Sequence, residues 1–473
     1  MKNSQLAEIL RSLDRDEFRG FGKFVRSPYF NNRSEVVRFF DAVKKFYPDF
    51  VSEDFNEEKI FIKVYPDKKF SGVMFRKLVS LLTNLLMDFY AVLSQQENTL
   101  DYNVKLLYKL YEKGLADAFK KKAKHMETLL ENSKHTPEYY ESKFKYTSKK
   151  NAYLNDLKNE SVHTLYQKEM DDYIEYFLAV ALILYHRLGT YSNVYNIKYD
   201  LKFYKEIFTF LESYDYKDLT LVNMYYNMTK IDETKEEKYF IELLNFWERS
   251  KDNLNDIFLY NVFISLYNFC INKRNNGDSQ FIKKQFEITK KYLTKDTLTN
   301  ESIYISPILF SGIVRTAACL KEFNWIEDFI KKYRSKLNPE MENETMHYCN
   351  GMIEFEKRNF EKSLVHLSKI NPKNISWKLN VKNLLIMNNY ELGHYEELIL
   401  QMDAYKHFLH RDTEAGESLK KRDSNIIMFV SELVKIKLNG KNESAFLLKN
   451  EIEKTPYFSL KEWVIAKADE LCK

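Results

Sequence analysis

Apolar residues recur at helical spacing along nearly the whole chain. Leu78, Leu82, Leu85, Phe89 and Leu93 form a stripe that Leu81, Leu86 and Val92 widen. A helix apolar on most sides belongs in a core, so this one is expected at the centre of an N-terminal unit. Three shorter helices are predicted before it. Asp14 followed by Glu17 has the capping-box spacing for a helix carrying Phe18, Phe21 and Val25, which Ser27-Pro28 interrupts. Ser34 is placed to cap a second helix through Val36, Val37, Phe40 and Val43, ended by Pro48. Asn56 opens a third, with Ile60, Phe61 and Val64 ahead of Pro66. Farther on, a stripe from Tyr102 to Tyr111 stops at Gly114. Thr136-Pro137-Glu138 combines a capping hydroxyl, a first-turn proline and an acid at the positive end of the helix dipole. From Ile174 to Leu188 nearly every face is apolar, which predicts a central helix packed on two sides.

Composition supports this reading. The 473 residues include only 11 Gly and 8 Pro, about a third of ordinary usage. No proline falls between Pro137 and Pro307, so helices there meet no imposed break. Asn is plentiful and can serve turns, so the proline distribution carries more weight than the scarcity of glycine.

The clearest internal signal lies after residue 300. Asn324-Trp325-Ile326-Glu327, Asn359-Phe360-Glu361-Lys362 and His394-Tyr395-Glu396-Glu397 align, and their aromatic residues are 35 positions apart in each step. Each aromatic follows an apolar helix and a short turn and precedes a second helix. One helix pair cannot bury both faces alone, so neighbours at constant spacing complete the core. This stretch resembles the tetratricopeptide repeat family. In the middle repeat Gly351 and Ser363 match the two small positions, Leu367 matches the large apolar one, and Pro372 lies near the closing proline. Asp328 and Leu398 stand where the flanking repeats would have a small residue, and Lys332 where they would have an apolar one, so the array is divergent. A fourth unit is expected around Leu438-Asn439-Gly440-Lys441, after a polar insertion near Arg411 to Asp423. A final capping helix is expected from Ser459, with Glu462 completing a capping box. The segment Lys23 to Asn31 and the Tyr-Glu-Leu-Gly turn at Tyr390 to Gly393 also resemble uncharacterised bacterial helical proteins, a resemblance that implies no activity.

The expected fold is therefore all-α: a right-handed α-solenoid of antiparallel helix pairs preceded by an N-terminal helical domain. The expected divisions are 1–95, a middle helical-hairpin region 96–300, and a repeat region 301–473 with its capping helix.

Charge changes this picture little. The formal net charge is +5 from 73 basic and 68 acidic residues, too dilute for a nucleic-acid footprint. Lys120-Lys121-Lys122-Ala123-Lys124 reads as a solvated helix face. Arg11, Arg15, Arg19, Lys23 and Arg26 recur at three- to four-residue steps, which keeps an N-terminal nucleic-acid module as the alternative function, diluted by Asp14, Asp16 and Glu17. The four cysteines, Cys270, Cys319, Cys349 and Cys472, have no CxxC spacing and fit a reducing compartment. The N-terminus lacks the apolar core of a signal peptide, and the apolar stretch from Phe177 to Tyr185 is too short to span a bilayer. A cytoplasmic location without membrane association is expected.

Candidate chemistry is sparse. Glu-x-x-His occurs at Glu160 to His163, Glu344 to His347 and Glu391 to His394, and His407 pairs with His410, but no third or fourth ligand is placed to complete a metal site. HExxH, P-loop, GxGxxG and nucleophile-elbow patterns do not occur. A non-enzymatic scaffold without cofactor is expected, binding a protein or peptide partner. The tetratricopeptide resemblance implies that the first helix of each pair lines a concave groove. Carried over, it places Tyr348, Met352 and Phe355 from one unit and Asn383, Met387 and Tyr390 from the next on that groove, as peptide contacts or as packing between repeats.

Overall fold

A computed structural model describes residues 2, 4–97, 99–157, 162–250, 254–294, 298, 304–372, 374–440, 442–456 and 458–472. Helix makes up 79% of the chain and no strand occurs among the described residues, so the fold is an all-α solenoid of helices packed on their sequence neighbours. Internal packing divides it into two units, 1–131 and 132–473. The first unit thus includes the helix pair that follows residue 95.

In the first unit, α1 (Gln5–Ser12), α2 (Arg15–Arg26) and α3 (Ser34–Val43) pack on α5 (Gly72–Glu97), and α4 (Glu57–Val64) packs on α3. The pair α6 (Thr99–Glu112) and α7 (Ala116–Glu131) follows. The capping box forms as the sequence predicts: Asp14 accepts from the Asp16 and Glu17 amides, and Glu17 accepts from the Asp14 amide, all at 2.8 Å. Asn56 likewise caps α4 through the Glu58 amide. Ser34 does not cap; it is the first helical residue, and Arg33 holds the cap position with no side-chain bond. By length and composition α5 is apolar enough to cross a bilayer, and its Leu78, Leu82, Leu86 and Phe89 are buried in this unit's core. The five N-terminal cations split between α1 and α2. Arg11 donates to the carbonyls of Asp49 and Lys2, Arg19 pairs with Asp16, and Arg26 pairs with Asp41. In the lysine run of α7, Ala123 is buried while Lys120, Lys121 and Lys124 face solvent.

The second unit begins with α8 (Pro137–Asp156), capped by Thr136 through the Tyr139 amide. The long α9 (Val162–Val194) packs on it, followed by α10 (Tyr204–Ser213). Leu178, Ala179, Leu182 and Tyr185 of α9 are buried, and the helix packs on both α8 and α11 as expected, while Phe177 and Leu184 stay exposed on a remaining open side. Pairs then follow: α11 (Thr220–Thr234) with α12 (Glu237–Ser250), α13 (Asp256–Asn275) with α14 (Phe281–Leu293), and α15 (Pro307–Cys319) with α16 (Phe323–Tyr333). The array continues through α17 (Pro339–Glu356) with α18 (Phe360–Leu367), α19 (Ile375–Glu391) with α20 (Tyr395–Arg411), and α21 (Glu417–Asn439) with α22 (Asn442–Lys454). It ends with α23 (Lys461–Leu471).

A recurring turn shapes these pairs. Lys235, Lys321, Arg358, Gly393 and Gly440 all have φ between 57° and 73°, and each sits two residues before the second helix of its pair. In three of these turns the next amide reaches back five residues: Glu322 to Ala317, Asn359 to Glu354 and His394 to Asn389, at 2.9–3.0 Å. That is the Schellman closure, and it satisfies carbonyls the helix end would leave open. Gly114 makes the same turn between α6 and α7 in the first unit. The aligned aromatics fall at its exit: Phe360 and Tyr395 open their helices, and Trp325 lies two residues into α16.

At the α17–α18 crossing, Ser363 Oγ donates to the Gly351 carbonyl at 2.7 Å. A Cβ at position 351 would come within 3.2 Å of Leu367 Cδ2, so the two small residues of the middle repeat permit the close approach. The polar insertion is partly helical: Glu417 to Asp423 begin α21, and Asp423 is fully buried. Lys441 of the fourth turn lies outside the described residues. The last helix starts at Lys461 after Leu460, and no side chain caps it, so the expected Ser459–Glu462 box does not form.

A left-handed backbone costs a residue with a Cβ about 1 kcal/mol. Arg358→Gly is therefore expected to raise stability by about 0.5 kcal/mol after the entropy cost of glycine, and Gly393→Ala to lower it by about 1 kcal/mol. Urea denaturation followed by circular dichroism checks both signs.

Candidate functional site: the inner face of the second unit

The first helices of successive pairs form an inner layer in which α9 packs on α11, α11 on α13, α15 on α17, and α17 on α19. The layer does not stay open. Helix α21 packs against α9, and α23 packs against both α21 and α13. A single bridge joins Tyr195 to Ala415, with the Asn196 amide donating to the Glu414 carbonyl at 3.1 Å. The concave side thus becomes a cavity of about 1050 Å3 with walls from α13, α14, α15, α17, α19, α21 and α23.

Four of the six groove positions expected from the sequence line this cavity: Tyr348, Met352, Phe355 and Met387. The other two do not. Asn383 donates to Asp423 Oδ1 at 2.6 Å, in a buried contact between α19 and α21. Tyr390 packs edge-on against Trp463, with ring centroids 5.4 Å apart. All six are at most 7% exposed, so they form an interior rather than an open surface.

The C-terminal helix supplies the closure. Trp463 Nε1 donates to Glu391 Oε1 at 2.8 Å, and Lys467 Nζ lies 2.9 Å from the same oxygen and 3.0 Å from Oε2. Lys467 also pairs with Glu470 at 2.7 Å. Burial pushes its pKa down, but Glu470 and Glu391 outweigh that and hold it above the ordinary lysine value. At the other end of α23, Lys461 Nζ donates to the carbonyls of Glu453 and Thr455, at 2.8 and 3.0 Å, and of Asn276, at 3.4 Å. Helix α23 therefore runs between the C-terminal ends of α13 and α19. Nothing in the local sequence signalled this, because the contacts span 72 and 185 positions.

These contacts also account for Glu391, which the spacing pairs with His394: its carboxylate serves Trp463 and Lys467. Glu344 accepts from the Asn371 amide at 3.3 Å, and His347 lies against His366 with Nδ1 atoms 3.2 Å apart. Glu160 lies outside the described residues. No cluster of three or more His, Cys, Asp or Glu with metal-binding geometry occurs among the described residues.

The polar part of the wall is specific. Arg274 Nη1 donates to Gln285 Oε1 at 2.8 Å. Glu356 is held by Lys321 at 2.8 Å and accepts from the Cys319 thiol at 3.4 Å. Burial, aided by Glu356, pushes that thiol up to about 11, so it stays protonated at neutral pH and is no ready nucleophile. Tyr267 and Tyr348 are each pushed up to about 12 by burial and remain neutral hydroxyls. No side chain can stand at position 312 without displacing Tyr267, because a Cβ there would fall 2.9 Å from its hydroxyl.

No protein-family model, curated protein or solved structure matches the chain.

Two measurements probe this architecture. Glu391→Leu leaves Lys467 buried beside only Glu470, and is expected to lower stability by about 3 kcal/mol. The double variant Glu391→Leu/Lys467→Met should recover most of that loss in urea denaturation. The second concerns His135, whose Nδ1 lies 2.6 Å from Thr220 Oγ1. Burial, reinforced by Lys143, holds its pKa below the ordinary 6.5. The unfolded chain then binds the extra proton first, so stability is full above about pH 6.5 and falls as pH drops toward the folded-state pKa. The urea midpoint should decline from pH 7.5 to 5.5, and by less in His135→Gln.

Proposed function

We propose that this chain is a non-enzymatic, cytoplasmic binding protein, a divergent tetratricopeptide-like array that holds a short peptide segment of a partner in the cavity of its second unit. The observation that carries this reading is the cavity itself. Residues from seven helices, spread over about 200 positions from Tyr260 to Trp463, converge on one space. Pockets that hold drug-sized ligands run to about 1000 Å3, are mostly apolar, and carry few polar groups for orientation. Met352, Phe355 and Met387 provide the apolar wall here, and the Arg274–Gln285 end the polar groups. Methionine and aromatic side chains adapt to varied apolar surfaces. A folded partner would not fit. A longer segment would require α23 to lift from Glu391, so the C-terminal helix is the natural gate.

The test is a filled cavity. Asn380 is half-buried on the wall, and its side chain makes no hydrogen bond among the described residues. On a positional-scanning array of hexapeptides, the full chain should show selective, saturable binding, and Asn380→Trp with unchanged helicity should weaken it at least about tenfold, or 1.4 kcal/mol. Equal binding by the filled variant would place the peptide elsewhere, and no selectivity in the wild type would defeat the proposal.

A further inference from the structure

One end of the cavity holds more positive charge and more unused donors than its own structure needs. Arg274 on α13 and Arg315 on α15 both act electrostatically on the same two groups, the Tyr267 hydroxyl and the Cys319 thiol, and Arg315 acts on Tyr348 as well. Both arginines, with Gln285, line the same cavity.

Their partners do not balance them. Arg274 turns Nη1 to Gln285 Oε1, which orients the Gln285 amide: its oxygen must face the arginine, so its nitrogen faces away. That Nε2, on a side chain only 1% exposed, has no acceptor, and neither has the buried Nε of Arg274. Arg315 is half-buried and makes no hydrogen bond or ion pair among the described residues. Two of the acids nearby are engaged elsewhere. Glu356 is held by Lys321 and Cys319, and Asp423 by Arg422 and Asn383. Glu462 lines the wall from α23 but forms no ion pair with either arginine, and its own Oε1 lacks a donor.

A buried donor without an acceptor and a half-buried charge without a counter-charge are both unfavourable for a resting protein. Side by side in a cavity, they match what a guanidinium fork offers to a carboxylate or phosphate. We infer that the Arg274–Gln285–Arg315 end of the cavity binds an anionic group, a carboxylate or phosphate carried by the ligand, while the rest of the ligand lies against Met352 and Phe355. The assignment of that group to a peptide side chain rests on the function proposed above; the anion site itself does not.

The test has two arms on the full chain. In the first, thermal unfolding is followed in inorganic phosphate and in sodium chloride at matched ionic strength. Wild type should gain a saturable rise in Tm with phosphate only, by mass action. Arg315→Gln should lose that rise and, without phosphate, be at least as stable as wild type, because it removes an uncompensated charge. Arg315→Lys, which keeps the charge without the fork, should retain part of the response and covers the case in which the glutamine variant fails to fold. A phosphate response undiminished in Arg315→Gln, or none in wild type, overturns the anion site. In the second arm, the hexapeptide array carries Asp, Glu or phosphoserine at each position against Asn, Gln or Ser. At least tenfold preference for the anionic residues, lost in Arg315→Gln, supports the full inference. Equal binding of neutral and anionic peptides overturns it and leaves peptide recognition standing. A phosphate response that depends on Arg315, with no peptide bound, keeps the anion site and overturns the peptide reading.

Discussion

A pair of antiparallel helices buries the faces it turns to each other and leaves another apolar face without cover. In the second unit that face is covered by the next pair, so burial is passed from α11 to α22 along a line of neighbours. The Schellman turns at Lys321, Arg358 and Gly393 keep the direction of each pair constant, which lets Phe310, Cys349, Leu384 and Val430 fall at comparable depth in successive layers. The line must still end somewhere. Here it ends on α23, whose Val464, Ala468 and Leu471 close the last core and whose Trp463 and Lys467 anchor it to Glu391. Because α23 also reaches α13, the termination of the array and the enclosure of its concave side are one structural event.

This dependence on neighbours explains which features could be read from the sequence. Local rules were visible where one turn of chain decides the outcome: the capping box at Asp14, the caps at Asn56 and Thr136, the stripe of α5, and the small residues Gly351 and Ser363 at a helix crossing. The 35-residue spacing of Phe360 and Tyr395 was legible for the same reason, since both open the helix after the same turn. The turn itself was visible only at Gly393, Gly440 and Gly114. At Lys235, Lys321 and Arg358 a long cationic side chain holds the left-handed position, and nothing in its type announces that. Packing overrides intrinsic preference there, and the cost of about 1 kcal/mol is small beside the core each turn assembles.

The candidate site was legible only in part, and the division is physical. The register carried over from the tetratricopeptide resemblance says which side of a helix faces inward, and Tyr348, Met352, Phe355 and Met387 do line the cavity. It gives no information on what lies opposite. Asn383 meets Asp423 and Tyr390 meets Trp463 across contacts 40 and 73 positions long, and these turn two groove positions into packing. Arg274, Gln285 and Arg315 escaped notice because each is unremarked in its own helix. They acquire meaning only when α13, α14 and α15 bring them to one wall.

The polar end of the cavity also bears on how the array is stabilised. Two buried carboxylates elsewhere in the second unit are matched: Asp423 carries both Arg422 and Asn383, and Glu391 carries both Trp463 and Lys467. Each such carboxylate joins helices from different layers, so satisfying it also fixes how the layers stack. Arg315 belongs to no such junction. Its neighbours Tyr267 and Tyr348 are held as neutral hydroxyls by burial, and Glu356 is turned toward Lys321. A repeat array can tolerate one uncompensated cation because its stability is spread over many interfaces. A half-buried cation on the cavity wall, with no hydrogen bond or ion pair among the described residues, is best explained by what enters the cavity.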